Sequence, residues 1–166
     1  MPTKKERMYQ PPMSEHMNAT KQSDVDLTIK LYDLRREKEM RAARAWFFSQ
    51  FNPEGANDIA RLLVSGQQAS ASFRMLTSYW DMAASFVLNG GIDEQIFVAA
   101  NTEHIGVFAK LKPFIAELRV LIGEPDYLSN LEKLVMKMPD AAAAMERRRK
   151  LFASWAKAVQ RGQSDR

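Results

Sequence analysis

Apolar residues recur at helical spacing along most of this chain, and the clearest run lies near its middle. Six residues follow one another at steps of three or four, which places them on one face of a helix: Ala69, Phe73, Leu76, Trp80, Ala83 and Val87. Asn89-Gly90-Gly91 follows, and glycine takes the left-handed conformation that closes a helix C-terminus. The pattern therefore predicts a central core helix over residues 68–89.

A long helix is predicted before it, over residues 23–51, with Ser23 as its N-cap. Its apolar stripe is interrupted by a charged run and comprises Leu27, Leu31, Leu34, Ala42, Ala45 and Trp46. About 29 residues at 1.5 Å each give a helix of roughly 43 Å, longer than the core of a domain of this size. We therefore expect its N-terminal half to project or to pack on another subunit.

The same spacing predicts five more helices, and no segment has the alternation of a strand. They lie near residues 55–65, after Asp93, at 102–122, at 126–137 and from Pro139 to Arg161. Pro113 lies inside the fourth long helix, where proline removes a backbone hydrogen bond, so a kink is expected there. The prediction is an all-α fold, a single helical bundle domain of five to seven helices with a long N-terminal helix. It spans residues 23–161, between a disordered tail at 1–22 and a frayed tail at 162–166.

Composition narrows the class of protein. A chain of 166 residues with 46% hydrophobic residues is enough for one domain with a real core. Cysteine is absent, which excludes disulfides and thiolate metal sites. The N-terminus lacks the apolar run of a signal peptide, and no stretch is apolar for long enough to span a membrane. We expect a soluble, cytoplasmic protein.

The net charge of +4 is unevenly placed, because residues 140–166 hold seven Lys/Arg and three Asp/Glu and so carry the whole excess. Segment 145–161 is amphipathic as well as basic. Such a helix can bind nucleic-acid phosphates, lie on an anionic membrane or pack on the core with a solvated edge, and we favour packing. Its possible polyanion contacts are Arg147, Arg149, Lys150, Lys157 and Arg161.

The packed face of this last helix follows from the same spacing. The residues predicted to face the body are Met145, Phe152, Trp155 and Val159. Arg148 shares their face, so its aliphatic stem is expected along the core with its head at the rim. Trp46, Trp80 and Trp155 are all interpreted as core anchors.

Three segments carry a pattern that resembles a known family. Residues 79–97 combine an aromatic–acidic pair with a Gly-Ile-Asp turn, residues 110–119 contain Lys-Pro and a later Arg, and residues 127–134 form a tyrosine-led helix. Over about residues 55–137 the chain resembles an uncharacterised family of short bacterial all-helical proteins, a domain of unknown function. The resemblance implies an all-α fold and assigns no activity.

Candidate chemistry is sparse. The chain has no glycine-rich phosphate loop, and its two histidines, His16 and His104, are far apart with no Glu-x-x-His pair, so neither a metal nor a cofactor is expected. His104 is interpreted as a capped or core-edge histidine. Asp81 and Arg119 are expected to meet across two helices as a structural ion pair, or else, with Tyr79, to line a small pocket.

These observations favour a non-enzymatic helical interaction or structural module. It is expected to form a homo-oligomer through helix 23–51, and its protein partner is left open. The alternative is a peripheral binder of nucleic acid or anionic membrane through the basic helix 145–161, which a steep salt dependence of binding would identify. An enzyme with a pocket between the central and fourth helices is a third hypothesis.

Overall fold

In the computed structural model of the protein, the backbone is described for residues 13–164, and the side chains for residues 20–155 and Lys157. Every element of this part of the chain is helical, which confirms the all-α prediction. The nine helices of residues 13–164 are α1 (Met13–Arg36), α2 (Lys38–Ser49), α3 (Ala56–Val64), α4 (Gln68–Leu88), α5 (Glu94–Ala100), α6 (Glu103–Leu111), α7 (Ile115–Ile122), α8 (Ser129–Met136) and α9 (Ala141–Ser164).

The predicted count of five to seven helices is too low because two predicted helices are each divided. The helix expected over 23–51 is interrupted at Glu37, whose backbone is extended at φ −53° and ψ 145°. The helix expected over 102–122 ends at Leu111 and resumes at Ile115, so Pro113 produces a break rather than a kink.

The chain boundaries also differ from prediction. Residues 13–22 belong to α1, so the disordered tail predicted for 1–22 is wrong for them, and Ser23 lies inside a helix instead of capping it. Residues 162–164 belong to α9, which contradicts the frayed tail for that part. The rest of both predicted tails, residues 1–12 and 165–166, lies outside the described chain.

The break at Glu37 has a physical reason in the apolar pattern around it. Leu31 and Met40 are both buried, yet nine residues are two and a half turns, so one straight helix would point them in opposite directions. After the break, α2 turns Ala43 and Phe47 into the core. The predicted stripe through Ala42 and Ala45 instead faces solvent.

Helix α4 lies between α2 and α8, and it is buried on more than one side. Of its predicted stripe, all but the half-buried Ala69 are buried, and Trp80 is 0% exposed. A second set of buried residues on α4 is small or polar: Ser70, Ser72, Thr77 and Ala84. The helix ends at Leu88, and Gly90 takes the left-handed conformation at φ +75°, as predicted.

Helix α9 packs across α6 and α2. Met145 and Phe152 are buried, as expected, and the Phe152 ring stacks on Phe48 with 4.2 Å between ring centroids. Gly106 of α6 allows this approach, because a β-carbon there would lie 2.1 Å from the Phe152 Cε2 atom. Trp155 is 54% exposed, so its interpretation as a core anchor is wrong; the side chain of Val159 lies outside the described residues.

The two tryptophans provide a matched test of this packing. Trp80→Ala should lower the free energy of unfolding by about 3–5 kcal/mol, because it empties a fully buried aromatic site. Trp155→Ala should lower it by less than about 1 kcal/mol, because half of that side chain is already in water. Urea unfolding followed by circular dichroism measures both. Equal losses in the two variants would contradict the described packing.

Candidate functional site

The most connected polar group in the described interior is the carboxylate of Glu103, at the start of α6. Arg44 Nε donates to both of its oxygens at 2.9 Å, and Trp80 Nε1 donates to Oε1 at 3.3 Å. The Glu103 side chain is 12% exposed, and its hydrogen bond with Arg44 raises the pKa of the guanidinium. The carboxylate therefore links α2, α4 and α6. Sequence reasoning missed the pair, since no local spacing connects residues 59 positions apart.

His104 follows Glu103 and lies in the core itself, only 1% exposed, rather than at its edge. Its ring lies 5.6 Å from that of Trp80 and 5.3 Å from that of Phe97, centroid to centroid. Neither ring nitrogen has a hydrogen-bond partner among the described residues. Burial, and secondarily the positive charge of Arg148, lowers the pKa of His104 to about 4, so the ring is neutral at pH 7.

The three residues predicted to share a pocket or ion pair are bound at separate places. Tyr79 faces α1, and its hydroxyl donates to the carbonyl oxygen of Leu31 at 2.6 Å. Arg119 Nε donates to the carbonyl oxygen of Tyr127 at 3.0 Å, and its Nη1 forms an ion pair with Glu132 at 2.7 Å. The structure does not assemble these groups into one site.

Asp81, the third of them, caps a neighbouring helix. The residue before α8 is Leu128, held in the left-handed region at φ +55°, and its side chain has no acceptor for the free N–H groups of the helix. Asp81 supplies that acceptor from α4: it receives the N–H of Leu131 at 2.9 Å and the amide of Asn130 at 3.1 Å. Its role is structural.

Lys110 has a similar role at the other end of a helix. Its Nζ donates to the carbonyl oxygens of Phe47 and Phe51, at 2.9 and 2.7 Å, where α2 ends. Burial lowers the pKa of this lysine to about 8. Although it lines a small cavity of about 180 Å³ with Asn52 and Arg149, its hydrogens are directed to these acceptors, so it closes α2.

The basic residues of α9 are partly compensated by neighbouring acids. Arg147 forms an ion pair with Asp140 at 2.8 Å, and Arg149 and Lys150 lie 3.3 and 3.8 Å from Glu146. Arg149 also donates to the carbonyl oxygen of Ala109 on α6 at 3.1 Å, which helps to hold α9 in place. Of the other predicted contacts, Lys157 is exposed, and the side chain of Arg161 lies outside the described residues.

Helix α1 has more exposed large apolar side chains than any other described helix. It meets the body along one narrow stripe, formed by the buried Asp24, Thr28 and Leu31 and the half-buried Arg35. Its exposed apolar side chains, each between 36% and 52% exposed, are Val25, Leu27, Ile29, Tyr32 and Leu34. Leu27 and Leu34, which belong to the predicted apolar stripe, are therefore uncovered.

A groove adjoins this helix, and we call it the α1–α4 groove. It has a volume of about 460 Å³ and is lined by Leu34, Glu37, Glu39, Met40, Met75, Ser78, Tyr79 and Met82. Phe86 lies one turn beyond Met82 on the same face of α4, and both are exposed by about two fifths. Their exposure makes them part of the surface beside the groove.

Comparison with known proteins identifies one relationship. The sequence model of a family described as a domain of unknown function (DUF4760) matches residues 21–138. This confirms the resemblance and extends it to α1 and α2, whereas α9 begins after the match ends. No curated protein and no solved structure matches the chain. None of the described helices is long and apolar enough to cross a membrane.

The buried His104 predicts a specific pH dependence of stability. The unfolded chain binds a proton at this ring below about pH 6.5, whereas the folded chain binds it only near pH 4. The contribution of His104 is therefore complete above pH 6.5 and is lost as the pH falls towards 4, by up to roughly 3 kcal/mol. His104→Phe, which cannot titrate, should unfold with a shallower pH dependence between pH 7 and 4.

Urea unfolding of both proteins at several pH values measures this difference. Other groups titrate in the same pH range, so the two proteins are compared by the difference between their free energies of unfolding at each pH. Any packing cost of the phenylalanine is the same at all pH values and cancels. Parallel curves would show that the histidine is not held neutral.

The compensated charges of α9 generate a second prediction. Changing Arg147, Lys150 and Lys157 to Gln should alter the free energy of unfolding by no more than about 1 kcal/mol in total, because exposed ion pairs contribute little. The wild type should show no micromolar binding to duplex DNA, RNA or anionic vesicles at physiological salt. Micromolar binding that the triple change abolishes would establish the polyanion hypothesis instead.

Proposed function

The chain belongs to DUF4760, a family of domains of unknown function, and we propose that it is a non-enzymatic helical interaction module that self-associates through α1. The observation that carries the proposal is the uncovered apolar surface of α1 beside the α1–α4 groove. Apolar area withdrawn from water contributes about 25 cal/mol per Å², so covering this surface stabilises an assembly. We also propose a cytoplasmic location, which is consistent with a chain that uses no cysteine.

A second copy of the chain is the proposed occupant of the groove. Leu27, Lys30 and Leu34 are spaced at three and four residues, so they share one flank of α1, and all three are exposed. The groove offers apolar side chains such as Met75 and Met82 to the leucines. The flank of one protomer would lie in the groove of the other, and a two-fold axis would repeat the contact.

Charges match along the same contact. Glu37 and Glu39 line the groove, and neither forms an ion pair with another described residue. Lys30 is likewise unpaired among the residues with described side chains. In the proposed contact, the ammonium group of Lys30 on one protomer would lie close to the carboxylates of Glu37 and Glu39 on the other. Such pairing favours one register of the two helices and disfavours others.

Neither of the other two hypotheses has comparable support. The residues expected to line a catalytic pocket are bound at separate places, and three of the basic residues of α9 lie beside acids. We therefore favour self-association over both enzyme activity and polyanion binding.

Self-association is tested by mass in solution. Light scattering or sedimentation at tens of micromolar should give the mass of a dimer for the wild type. Leu34→Glu should weaken the dimer at least tenfold, because it places a charge among apolar groups and beside Glu37. Lys30→Glu should also weaken it, by adding like charge. Both positions are exposed, so the protomer should remain folded.

Val120→Glu is the matched control, because Val120 is another exposed apolar residue, on α7 and 81% exposed. The mass of this variant should equal that of the wild type. A wild-type protein that is monomeric at tens of micromolar would refute the proposal, as would equal effects of the changes at Leu34 and Val120.

A further inference from the structure

A second groove, which plays no part in the proposed dimer contact, lies between α5, α6 and α9. It has a volume of about 470 Å³, and its lining residues include Val98, Thr102, Ile105, Met138, Arg148 and Leu151. A wider hollow of about 810 Å³ adjoins it and shares Val98 and Met138 as lining residues. Known small-molecule sites are mostly apolar and have volumes of about 300–1,000 Å³. We call the first of the two the α5–α9 groove.

The unusual feature of this groove is the guanidinium of Arg148. The residue is half-buried, as its position on the packed face of α9 predicted. Yet among the residues with described side chains it has neither an ion pair nor a hydrogen bond. The aliphatic stem of such an arginine packs on apolar side chains while its guanidinium stays at the rim, where its donors are available to a ligand.

The neighbouring groups leave this charge uncompensated. Asp140, the nearby acid at the start of α9, is bound by Arg147, which also lines the groove. His104 is kept neutral by burial and by the positive charge of Arg148, so it adds no second positive charge beside the groove. In the lining of the adjoining hollow, Lys137 and Glu94 form an ion pair. Of the charged residues that line the groove itself, Arg148 is therefore the one without an ion pair among the described residues. Asp93, which lines the adjoining hollow, accepts the N–H of Ile96 at the start of α5.

We propose that the α5–α9 groove binds an apolar monocarboxylate of the fatty-acid type, with its carboxylate on Arg148 and its chain over Val98, Ile105 and Met138. A guanidinium binds a carboxylate through two parallel hydrogen bonds, which suits a single unpaired arginine. The hydroxyl of Thr102 lines the same groove and provides a further donor. The shared lining residues allow a longer chain to continue into the adjoining hollow.

Decanoate is the probe, titrated calorimetrically into the full chain below the concentration at which it forms micelles. Binding should tighten from hexanoate to octanoate to decanoate, by about threefold to fourfold for each methylene group that becomes buried. Decanol, which has the same chain and no charge, should bind at least tenfold more weakly. A decanol affinity equal to that of decanoate would overturn the assignment of Arg148, and so would an absence of decanoate binding at millimolar concentration.

Arg148→Gln should weaken decanoate binding at least tenfold, because it removes the charge and the paired donors. Lys150→Gln is the matched control. Lys150 lies two positions after Arg148, and its exposed, positively charged side chain does not line the groove, so its loss should change the affinity less than twofold. Equal losses in the two variants would indicate only a general attraction of anions to α9.

Methyl NMR gives a second measurement that does not depend on any substitution. Decanoate should shift the signals of Val98, Ile105 and Leu151, which line the groove, and leave those of Leu34 and Val120 in place. Shifts at Leu34 instead would locate binding in the α1–α4 groove and reject the proposed site.

Discussion

The buried carboxylate of Glu103 is the interaction on which the arrangement of the core depends. It receives Arg44 from α2 and Trp80 from α4, so the three helices that meet there are held in one relative position. A partly buried ion pair brings a desolvation cost that good geometry and additional hydrogen bonds offset, and four hydrogen bonds reach this carboxylate at 2.5–3.3 Å, three from Arg44 and one from Trp80. Removing Arg44 would leave the largely buried carboxylate of Glu103 without its compensating charge. That asymmetry favours one arrangement of α4 in the bundle over nearby alternatives.

The other interior polar groups are also committed to holding helices together. Lys110 caps the C-terminal end of α2, and Asp81 caps the N-terminal end of α8. Arg119 binds both Tyr127, which precedes α8, and Glu132, which lies within it. The Lys110 ammonium and the Asp81 carboxylate are both engaged in hydrogen bonds, and groups engaged in this way are poorly suited to bind and transform a substrate. Among the described residues, the polar groups without a partner include the buried ring nitrogens of His104, the Nη2 of Arg119 and the half-buried guanidinium of Arg148. Apolar side chains of α1 are uncovered at the surface. The uncovered side chains of α1 and the unpaired Arg148 are the reason to propose binding rather than catalysis.

Local patterns predicted the helices well because burial of one face imposes the helical period. The stripe of α4 and its stop at Gly90 depend on neighbours within a few positions, and both were found. The division at Glu37 was missed because charged residues are good helix formers and no proline or glycine marks the break. A signal was present nonetheless: the spacing from Leu31 to Met40 is half a turn out of phase. A second stripe through Ala42 and Ala45 is in phase with Leu31, and it hides this change of phase.

The sites were harder to predict because they depend on how helices cross. Sequence spacing predicted that Asp81 and Arg119 lie on facing helices. It did not predict that both side chains would bind the segment around α8, where Leu128 leaves helix N–H groups without a local cap. The position of Arg148 on the packed face of α9 was predictable from the same period that places Phe152 in the core. Its lack of a partner was not, because that depends on Arg147 having taken Asp140 and on the absence of any other acid from the groove lining. An unpaired charge is thus a tertiary property, and it becomes visible only once the competing pairs are known.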